Sequence, residues 1–202
     1  MPKCRPGTAY NTRMRVAAIQ MTSGHEIDAN LEAAGRFLAE AARLGAVLAA
    51  LPENFAFMGK DSGDKRVIAE PDGAGRIQNF LADTSRRHKI WIVGGTVPLR
   101  QDRDGRVAAS CLVYDAQGQR VARYDKMHLF DVDVPGSTES HRESAHTVAG
   151  HDARVVDTPI GKLGLAVCYD MRFHGIQVRI RTTIAATTTG QRFFSTALMT
   201  GR

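Results

Sequence analysis

The sequence predicts a layered α/β protein, and three observations support that class. An apolar run, an amphipathic helical stretch and a second apolar run follow one another between residues 15 and 51, which is the order of a βαβ unit. Another amphipathic stretch and several β-rich runs come after it, with turn-forming residues between the later runs. The chain has 202 residues, enough for one domain, and its sequence shows no internal repeat.

The first three elements are predicted to be a strand, a helix and a strand. Residues 15–21 form an apolar run, and Asp28 is predicted to cap a helix that ends at Gly45. Residues 46–51 are continuously apolar and predict a buried strand. Five apolar residues of the helix recur at the spacing of one face, which is therefore predicted to be buried: Ile27, Leu31, Ala34, Leu38 and Ala41.

The later elements are a loop, a second helix and a series of strands. Residues 52–75 are rich in Gly, Asp and Lys and are predicted to form a loop, with residues 58–61 at the rim of a site. A helix is predicted over residues 75–89, and residues 129–152 are predicted to form a long polar loop, which compact domains rarely keep without a functional reason. Five more strands, four of them paired in hairpins, are predicted over residues 90–95, 107–114, 119–124, 154–157 and 162–167.

The composition is that of a soluble globular protein. Hydrophobic residues make up 43% and charged residues 24% of the chain, and no apolar run is long enough to cross a membrane. Cys4, Cys111 and Cys168 are too few and too scattered for a disulfide framework or a CxxC metal site. The N-terminus lacks an apolar segment after its basic residues, so no signal peptide is expected and a reducing, cytoplasmic location is predicted.

The formal charge of +6 does not indicate a nucleic-acid partner, because the excess lies at the two ends of the chain. Residues 16–170 contain 18 basic and 21 acidic residues, a net charge of −3. A nucleic-acid-binding domain would normally show a basic stripe on the folded body together with a recognisable module or stacking aromatic residues. The sequence has neither, so we expect no nucleic-acid partner.

Cys168 is the first candidate for a reactive group. It ends the apolar run of residues 163–167 and precedes the sequence Tyr-Asp-Met-Arg-Phe, which predicts a strand that leads into a sharp turn. At a strand-to-helix corner, backbone N–H groups and the helix dipole favour a thiolate and lower the pKa of a cysteine. The alternative is a buried cysteine that packs as a small hydrophobic residue.

Glu53 and Lys126 are two further candidates, because each follows the end of a predicted strand. Open sheets tend to place ligand-contacting residues at strand ends. For either residue alone, a solvated surface charge is the alternative. The set of three, including Cys168, is less easily dismissed than any one of them and marks a candidate site.

The sequence around these residues resembles the nitrilase, or carbon-nitrogen hydrolase, superfamily. The strings that carry the resemblance are LPENF, YDKMHLFDVDVPG and GLAVCYDMRF, together with RVAAIQM, WIVGGT and the RES that contains Glu143. The string HLFDVDVPG is most similar to the Nit amidase branch, which includes omega-amidases and deaminated glutathione amidases. The resemblance implies a four-layer α-β-β-α sandwich of two stacked sheets.

The resemblance covers residues 14–173 and divides the chain into three parts. Residues 1–13 form an unmatched basic leader, and we hypothesise that Met14 is the natural start. Residues 14–173 correspond to an incomplete carbon-nitrogen hydrolase domain. Residues 174–202 are rich in Thr and Arg and lack the Pro-Glu, helix and strands with which the family would continue. This predicts that the C-terminal part of the sandwich is missing because the sequence is truncated or frameshifted after Phe173.

Carried over residue by residue, the resemblance implies a role for each candidate. Cys168 would be the nucleophile, Glu53 the general base, and Lys126 the cation that stabilises the tetrahedral intermediate together with a backbone N–H near Tyr169. Glu143 would be the family's second glutamate, which steers Lys126 or takes part in proton handling. For Glu143 a surface loop acid is the alternative, because it follows a polar stretch.

The resemblance therefore implies a cysteine-dependent amidase that converts a small carboxamide to a carboxylate and ammonia through a thioester. A nitrile substrate is less favoured, because the motifs resemble the amidase branch. The resemblance implies neither a metal nor an organic cofactor, and it implies a homo-oligomer. The charge distribution and the lack of a long apolar run predict no nucleic-acid or membrane partner. The alternative is an inactive fragment, or an interaction partner of complete family members, in which the three residues persist without a complete substrate pocket.

Overall fold

The computed structural model describes residues 14–101, 104–136, 138–176, 180 and 194–196. Within these ranges the protein forms the α-helices α1 (Ile27–Arg43) and α2 (Arg76–His88), and residues 174–176 and 180 are also helical. Three short 3-10 helices span Ser62–Arg66, Glu143–Ala145 and Cys168–Arg172. The strands are β1 (Arg15–Ala18), β2 (Ala46–Leu51), β3 (Trp91–Gly94), β4 (Val97–Arg100), β5 (Val107–Tyr114), β6 (Arg120–Asp125), β7 (Asp131–Asp133), β8 (Ser140–Arg142), β9 (Thr147–Val148), β10 (Val155–Thr158), β11 (Gly161–Leu165) and β12 (Phe194–Thr196).

Seven of these strands form the larger sheet. Strands β1, β2 and β3 are parallel, β5 is antiparallel to β3, and β4, β6 and β9 also pair with β5. Strands β1 and β2 with the intervening α1 make the predicted βαβ unit, and β5 and β6 make a predicted hairpin. Strand β5 is buried along its whole length, because it has neighbours inside the sheet and its side chains enter the cores on both faces of the sheet.

One face of the larger sheet is covered by the two α-helices. Four of the five α1 residues that were predicted to be buried belong to this core. The fifth, Ile27, packs against the core but is partly exposed. Asp28 is not the N-cap: α1 begins at Ile27 with Glu26 in the capping position, and the Asp28 carboxylate instead forms an ion pair with Arg76. The core between helices and sheet includes Leu31, Leu38, Leu51, Ile77, Leu81, Ile92 and Leu112.

The opposite face of the larger sheet is covered by a second sheet of β10, β11 and β12. Leu163 and Leu165 of β11 share a buried cluster with Leu48 and Val93 of the larger sheet. Successive strand residues point to opposite faces, so Gly164 lies on the other side of β11, where a Cβ would collide with the side chain of Ile180. The helical residue 180 thus covers the outer face of the second sheet, which gives the α-β-β-α order and confirms the predicted fold class.

Two regions differ from the sequence-based expectations. The predicted polar loop over residues 129–152 is structured: β7 pairs with β8, a 3-10 helix follows, and β9 joins β5 of the larger sheet. We call residues 129–148 the strap. Strands β7 and β8 contain a single apolar residue, Val132, so no apolar alternation marks them. Strand β4 was also missed, because it contains Pro98, a residue disfavoured in strands.

The boundaries of the three predicted segments remain predictions. Residues 1–13 lie outside the described residues, and so does most of the segment from 174 to 202. Of that segment, Ile176 and Ile180 belong to the core between the sheets and their covering layer, and β12 pairs in parallel with β11. No helix within the described ranges has the length and apolarity that a membrane crossing requires.

Candidate active site

Glu53 lies at the carboxyl end of β2, in a turn that is held against the end of β3. The backbone N–H of Asn54 donates a hydrogen bond of 2.9 Å to Thr96 Oγ1. Gly95 has a φ of +52°, and a Cβ at this position would collide with the carbonyl oxygen of Pro52. Only a residue without a side chain allows this close approach of two strand ends. The approach fixes the backbone that carries Glu53, which is 7% exposed.

Lys126 directly follows β6, and its backbone is held on both sides. Its N–H donates to the Ala109 carbonyl at 3.0 Å, and its carbonyl accepts from the Gly150 N–H at 2.9 Å. The side chain is 2% exposed, and its Nζ lies 3.0 Å from Glu53 Oε1. Nζ also lies 2.9 Å from Glu143 Oε2 and 3.1 Å from Glu143 Oε1. Lys126 therefore lies between two carboxylates.

Glu143 begins the 3-10 helix of the strap and points inward. Its Oε2 accepts a hydrogen bond of 2.7 Å from the Phe130 N–H, and its own N–H donates to the Phe130 carbonyl at 3.3 Å. The side chain is 13% exposed. Glu143 is therefore a partner of Lys126 and not the solvated surface acid that the polar sequence around it left open.

The two carboxylates determine the charge of Lys126. Burial alone would lower the pKa of the ammonium, but the charges of Glu53 and Glu143 and a hydrogen bond to Glu143 outweigh this effect and raise the pKa above its ordinary value. Lys126 therefore stays protonated throughout the neutral range. A buried, fixed positive charge in a site of low polarity stabilises a developing oxyanion far more than the same charge in water does.

Cys168 is the first residue of the 3-10 helix that follows β11. Its φ of +47° lies in the left-handed region, which is uncommon for a residue with a side chain and is found preferentially at functional sites. The pKa of its thiol is raised to about 11, mainly by burial and then by the charge of Glu53, while the Lys126 ammonium opposes the rise.

The thiolate expected from a helix dipole is therefore wrong for the resting protein. The turn after Cys168 is a short 3-10 helix of 5 residues and offers little dipole, and the thiol is partly desolvated next to a carboxylate. Cys111, in contrast, fits the alternative of a cysteine that packs as a small hydrophobic residue. It is buried in β5, and burial raises the pKa of its thiol to about 12.

Four of the five predicted site residues face one cavity between strand ends and the strap. Glu53, Lys126, Glu143 and Cys168 line it together, although they are widely separated along the chain. The ring of Tyr169 lies edge-on to Phe130, with centroids 5.1 Å apart, and its role as an oxyanion donor remains a prediction. The other lining residues are Asn54, Lys65, Phe130, His141, Arg142 and Thr147.

Sequence reasoning missed most of these other lining residues because they lie in stretches that were predicted to be loops. The predicted rim of residues 58–61 does not line the cavity; Lys65 of the following 3-10 helix does. Asp170 was also missed, although it stands two residues after Cys168 in the string that carries the resemblance. Among the described residues, no group of three or more His, Cys, Asp and Glu side chains is arranged to hold a metal ion.

An α-β-β-α sandwich with a thiol, an ammonium and two carboxylates at one cavity defines the class of carbon-nitrogen hydrolases. The model of the family described as "Carbon-nitrogen hydrolase" matches residues 15–190. The chain belongs to the carbon-nitrogen hydrolase family. The match continues past Phe173 into the segment that the motifs alone left unmatched.

Individual relatives agree with the family and with the Nit branch. The chain is 35% identical to deaminated glutathione amidase of Yersinia enterocolitica, over 82% of this chain and 58% of that protein. It is 32% identical to the chloroplastic omega-amidase of Arabidopsis thaliana, over 80% and 44%. The solved structure of the C. elegans NitFhit protein superposes with a TM-score of 0.74 at 31% identity, covering 83% of this chain and 40% of that one. The chain thus spans about half the length of the curated relatives that it matches.

Proposed function

We propose that the protein is an amidase that hydrolyses a small-molecule carboxamide to a carboxylate and ammonia through a thioester on Cys168. The observation that carries the proposal is the buried Lys126 ammonium, held between Glu53 and Glu143 in the cavity that Cys168 also lines. The name of the omega-amidase among the relatives favours an omega-amide with a free NH₂ group as the substrate, because deaminated glutathione would release an amine and not ammonia. A nitrile is less favoured, because these relatives are amidases.

The first step is attack of the thiol on the amide carbonyl. With a pKa of about 11, Cys168 carries its proton at neutral pH, so it needs a base within reach. Glu53 serves as that base, since its carboxylate lines the same cavity as the thiol and its charge contributes to the raised pKa of Cys168. As the sulfur–carbon bond forms, the carbonyl electron pair moves to oxygen, and the Lys126 ammonium and the Tyr169 backbone N–H stabilise the oxyanion.

The second step breaks the carbon–nitrogen bond. The oxyanion collapses, protonated Glu53 gives its proton to the leaving nitrogen, and ammonia departs to leave a thioester. Glu53 then takes a proton from water, whose oxygen attacks the thioester carbonyl. Collapse of this second intermediate releases the carboxylic acid, and the thiolate regains the proton held by Glu53.

Glu143 keeps Lys126 paired during these steps. When Glu53 accepts a proton it loses its negative charge, and the ammonium would then be left without a counter-charge in a buried site. The two contacts of Glu143 to Nζ, at 2.9 and 3.1 Å, maintain the ion pair throughout. The charge that stabilises the oxyanion is therefore held in one place while the proton moves.

The alternative is an inactive chain or an interaction partner of complete family members. The chain spans 58% or less of the curated relatives named above, so the activity of the whole protein is a proposal for this chain. We propose a homo-oligomer in the cytoplasm without nucleic-acid or membrane partners. Strand β10 supports association, because among the described strands it pairs with β11 alone and offers a free edge to a second chain.

Release of ammonia from purified protein tests both functions. Wild type, Cys168→Ser and Cys111→Ala are incubated with simple primary amides, omega-amides and nitriles, and light scattering reports the oligomeric state of each sample. We expect turnover of an amide by wild type and by Cys111→Ala, and loss of at least about a thousandfold in Cys168→Ser with an unchanged fold. Equal ammonia release from wild type and Cys168→Ser would refute the amidase. A folded, monomeric and competent wild type would exclude the alternative.

A further inference from the structure

Asp170 is a fully buried carboxylate that lies two residues after Cys168, in the same 3-10 helix. Four donors reach it. Oδ1 accepts a hydrogen bond of 2.8 Å from the backbone N–H of His128. Oδ1 also lies 2.8 Å from His128 Nδ1. Oδ2 accepts from the Tyr124 hydroxyl at 2.6 Å and from the Val167 N–H at 2.9 Å. We call these four residues the Asp170 network.

The donors come from two segments that each carry one of the reacting groups. Tyr124 and His128 lie two residues before and two residues after Lys126. Val167 directly precedes Cys168. One carboxylate therefore joins the backbone around Lys126, at the end of β6, to the turn around Cys168, at the end of β11. These strands belong to different sheets, so the link runs across the two layers of the sandwich.

The network has the properties of a fixed link and not of a proton carrier. Each oxygen of Asp170 has two donors, and the residue is absent from the lining of the cavity. Burial and the Asp170 charge raise the pKa of Tyr124, so its hydroxyl keeps the proton that it donates. The ring of His128 is stacked on Phe173 with centroids 3.9 Å apart, which fixes its orientation.

The link also bears on the backbone conformation of Cys168. A non-glycine residue at φ +47° costs free energy and persists only where its surroundings hold it. The hydrogen bond from the Val167 N–H to the Asp170 side chain closes a tight turn that contains Cys168. Without this closure the turn would relax, and the sulfur would move relative to the ammonium.

We propose that Asp170 is the positioning residue that sets the Cys168 sulfur relative to the Lys126 ammonium. This inference rests on the proposed function, since it assigns a task within the same reaction. Asp170 touches neither substrate nor the reacting atoms. It acts through the two segments that it joins.

The test compares Asp170→Asn with Asp72→Asn. The amide keeps the shape of Asp170 but turns an NH₂ group toward donors that need an acceptor. Asp72 is a matched surface carboxylate, which pairs with Arg120 and Arg123 away from the cavity. We expect kcat of Asp170→Asn to fall roughly 10- to 100-fold with KM within about twofold of wild type, because a displacement of about 1 Å is enough for such a loss. Asp72→Asn should match wild type.

A second readout does not require amidase activity. Cys168 is labelled with acrylamide, whose carbonyl oxygen gains charge during addition, and with methyl methanethiosulfonate, which has no carbonyl, and peptide mass spectrometry measures both rates at this residue. The ratio of the two rates cancels changes in thiolate fraction and exposure, so it reports how well the sulfur and the ammonium are aligned. We expect the ratio to fall at least about fivefold in Asp170→Asn and to stay constant in Asp72→Asn.

The outcomes separate this inference from the proposed function. If wild type hydrolyses no amide, the proposed function fails and the rate ratio alone decides the role of Asp170. A folded Asp170→Asn with the wild-type ratio would overturn the inference. If Asp170→Asn does not fold, Tyr124→Phe, which removes one donor and keeps the ring, takes its place. A wild-type ratio in Tyr124→Phe would then overturn the inference, and a lowered ratio in this folded variant would support it.

Discussion

At the scale of single residues, the charge balance around Lys126 determines both stability and chemistry. Two carboxylates and one ammonium occupy a volume almost without solvent, so each charge depends on the others. Removing the cation would leave Glu53 and Glu143 next to each other without compensation. The cost of such a change is much larger than that of losing an exposed ion pair.

Lys126→Met provides a test of this dependence. We expect the free energy of unfolding to fall by about 3 to 5 kcal/mol, the usual range when one partner of a buried ion pair is removed. Amide hydrolysis should also be lost. Urea denaturation followed by circular dichroism measures the stability, and Lys60→Met, at an exposed position, is the control. Equal stability of the two variants would show that the carboxylates do not need the ammonium.

The residue scale is also where the sequence was most informative. The strings around Glu53, Lys126 and Cys168 identified side chains that the structure brings to one cavity. The protonation state of Cys168 could not be predicted from them, because it depends on burial and on the distance to Glu53, neither of which is local in sequence. The donors to Asp170 could not be predicted for the same reason, since two of the three donor residues precede Asp170 by more than 40 positions.

At the scale of elements, the ends of strands carry the site, and their backbones must approach closely to do so. The turn after β2 lies against the turn after β3, where Gly95 meets Pro52. Glu53 follows Pro52 directly, so any separation of these turns would displace the proposed base.

Gly95→Ala should separate the turn after β2 from the turn after β3. The new Cβ would overlap the Pro52 carbonyl oxygen, and the left-handed φ of +52° would add strain. We expect a loss of more than about 1 kcal/mol in unfolding free energy, together with a fall in kcat. Gly105→Ala is the matched control: its φ is +67°, but no atom lies within 4 Å of the new Cβ. A Gly95→Ala variant no less stable than Gly105→Ala would contradict the role given to the close approach.

Elements with regular apolar patterns were predicted well, and elements made of polar residues were not. The α1 face, β2 and β5 consist of buried apolar residues whose spacing is visible in the sequence. The strap is held instead by polar contacts, such as Arg142 with Asp133 at 2.7 Å and Glu143 with Lys126. Such pairings leave no periodic pattern, and so the strands that bring Glu143 to the site could not be predicted.

At the scale of the whole molecule, two cores stabilise the fold and bury several groups that ionise at high pH. Burial raises the pKa of Cys111 from 9.0 to about 12, and it is the main cause that raises the pKa of Cys168 to about 11 and of Tyr114 to about 12. In the unfolded chain these groups lose their protons at lower pH. Between about pH 9 and pH 12, the folded state therefore binds more protons than the unfolded state.

Stability should consequently decline in alkaline solution. The contribution is fully present below about pH 9, the ordinary value for a thiol, and is lost as the pH rises through about 12. Denaturation midpoints measured between these limits should fall steadily for wild type. Cys111→Ala lacks the most deeply buried of these thiols and should show a shallower decline. Parallel curves for the two proteins would contradict this assignment.

The distribution of the proposed reacting groups between the two sheets has a consequence for how the site would form. Glu53 and Lys126 belong to the larger sheet, and Cys168 belongs to the second sheet. Under the proposed mechanism neither sheet could act by itself, so a newly made chain would remain inert until the two sheets dock. The proposed activity would therefore depend on the contact between the two sheets, and it would vanish when they part even if every strand kept its neighbours.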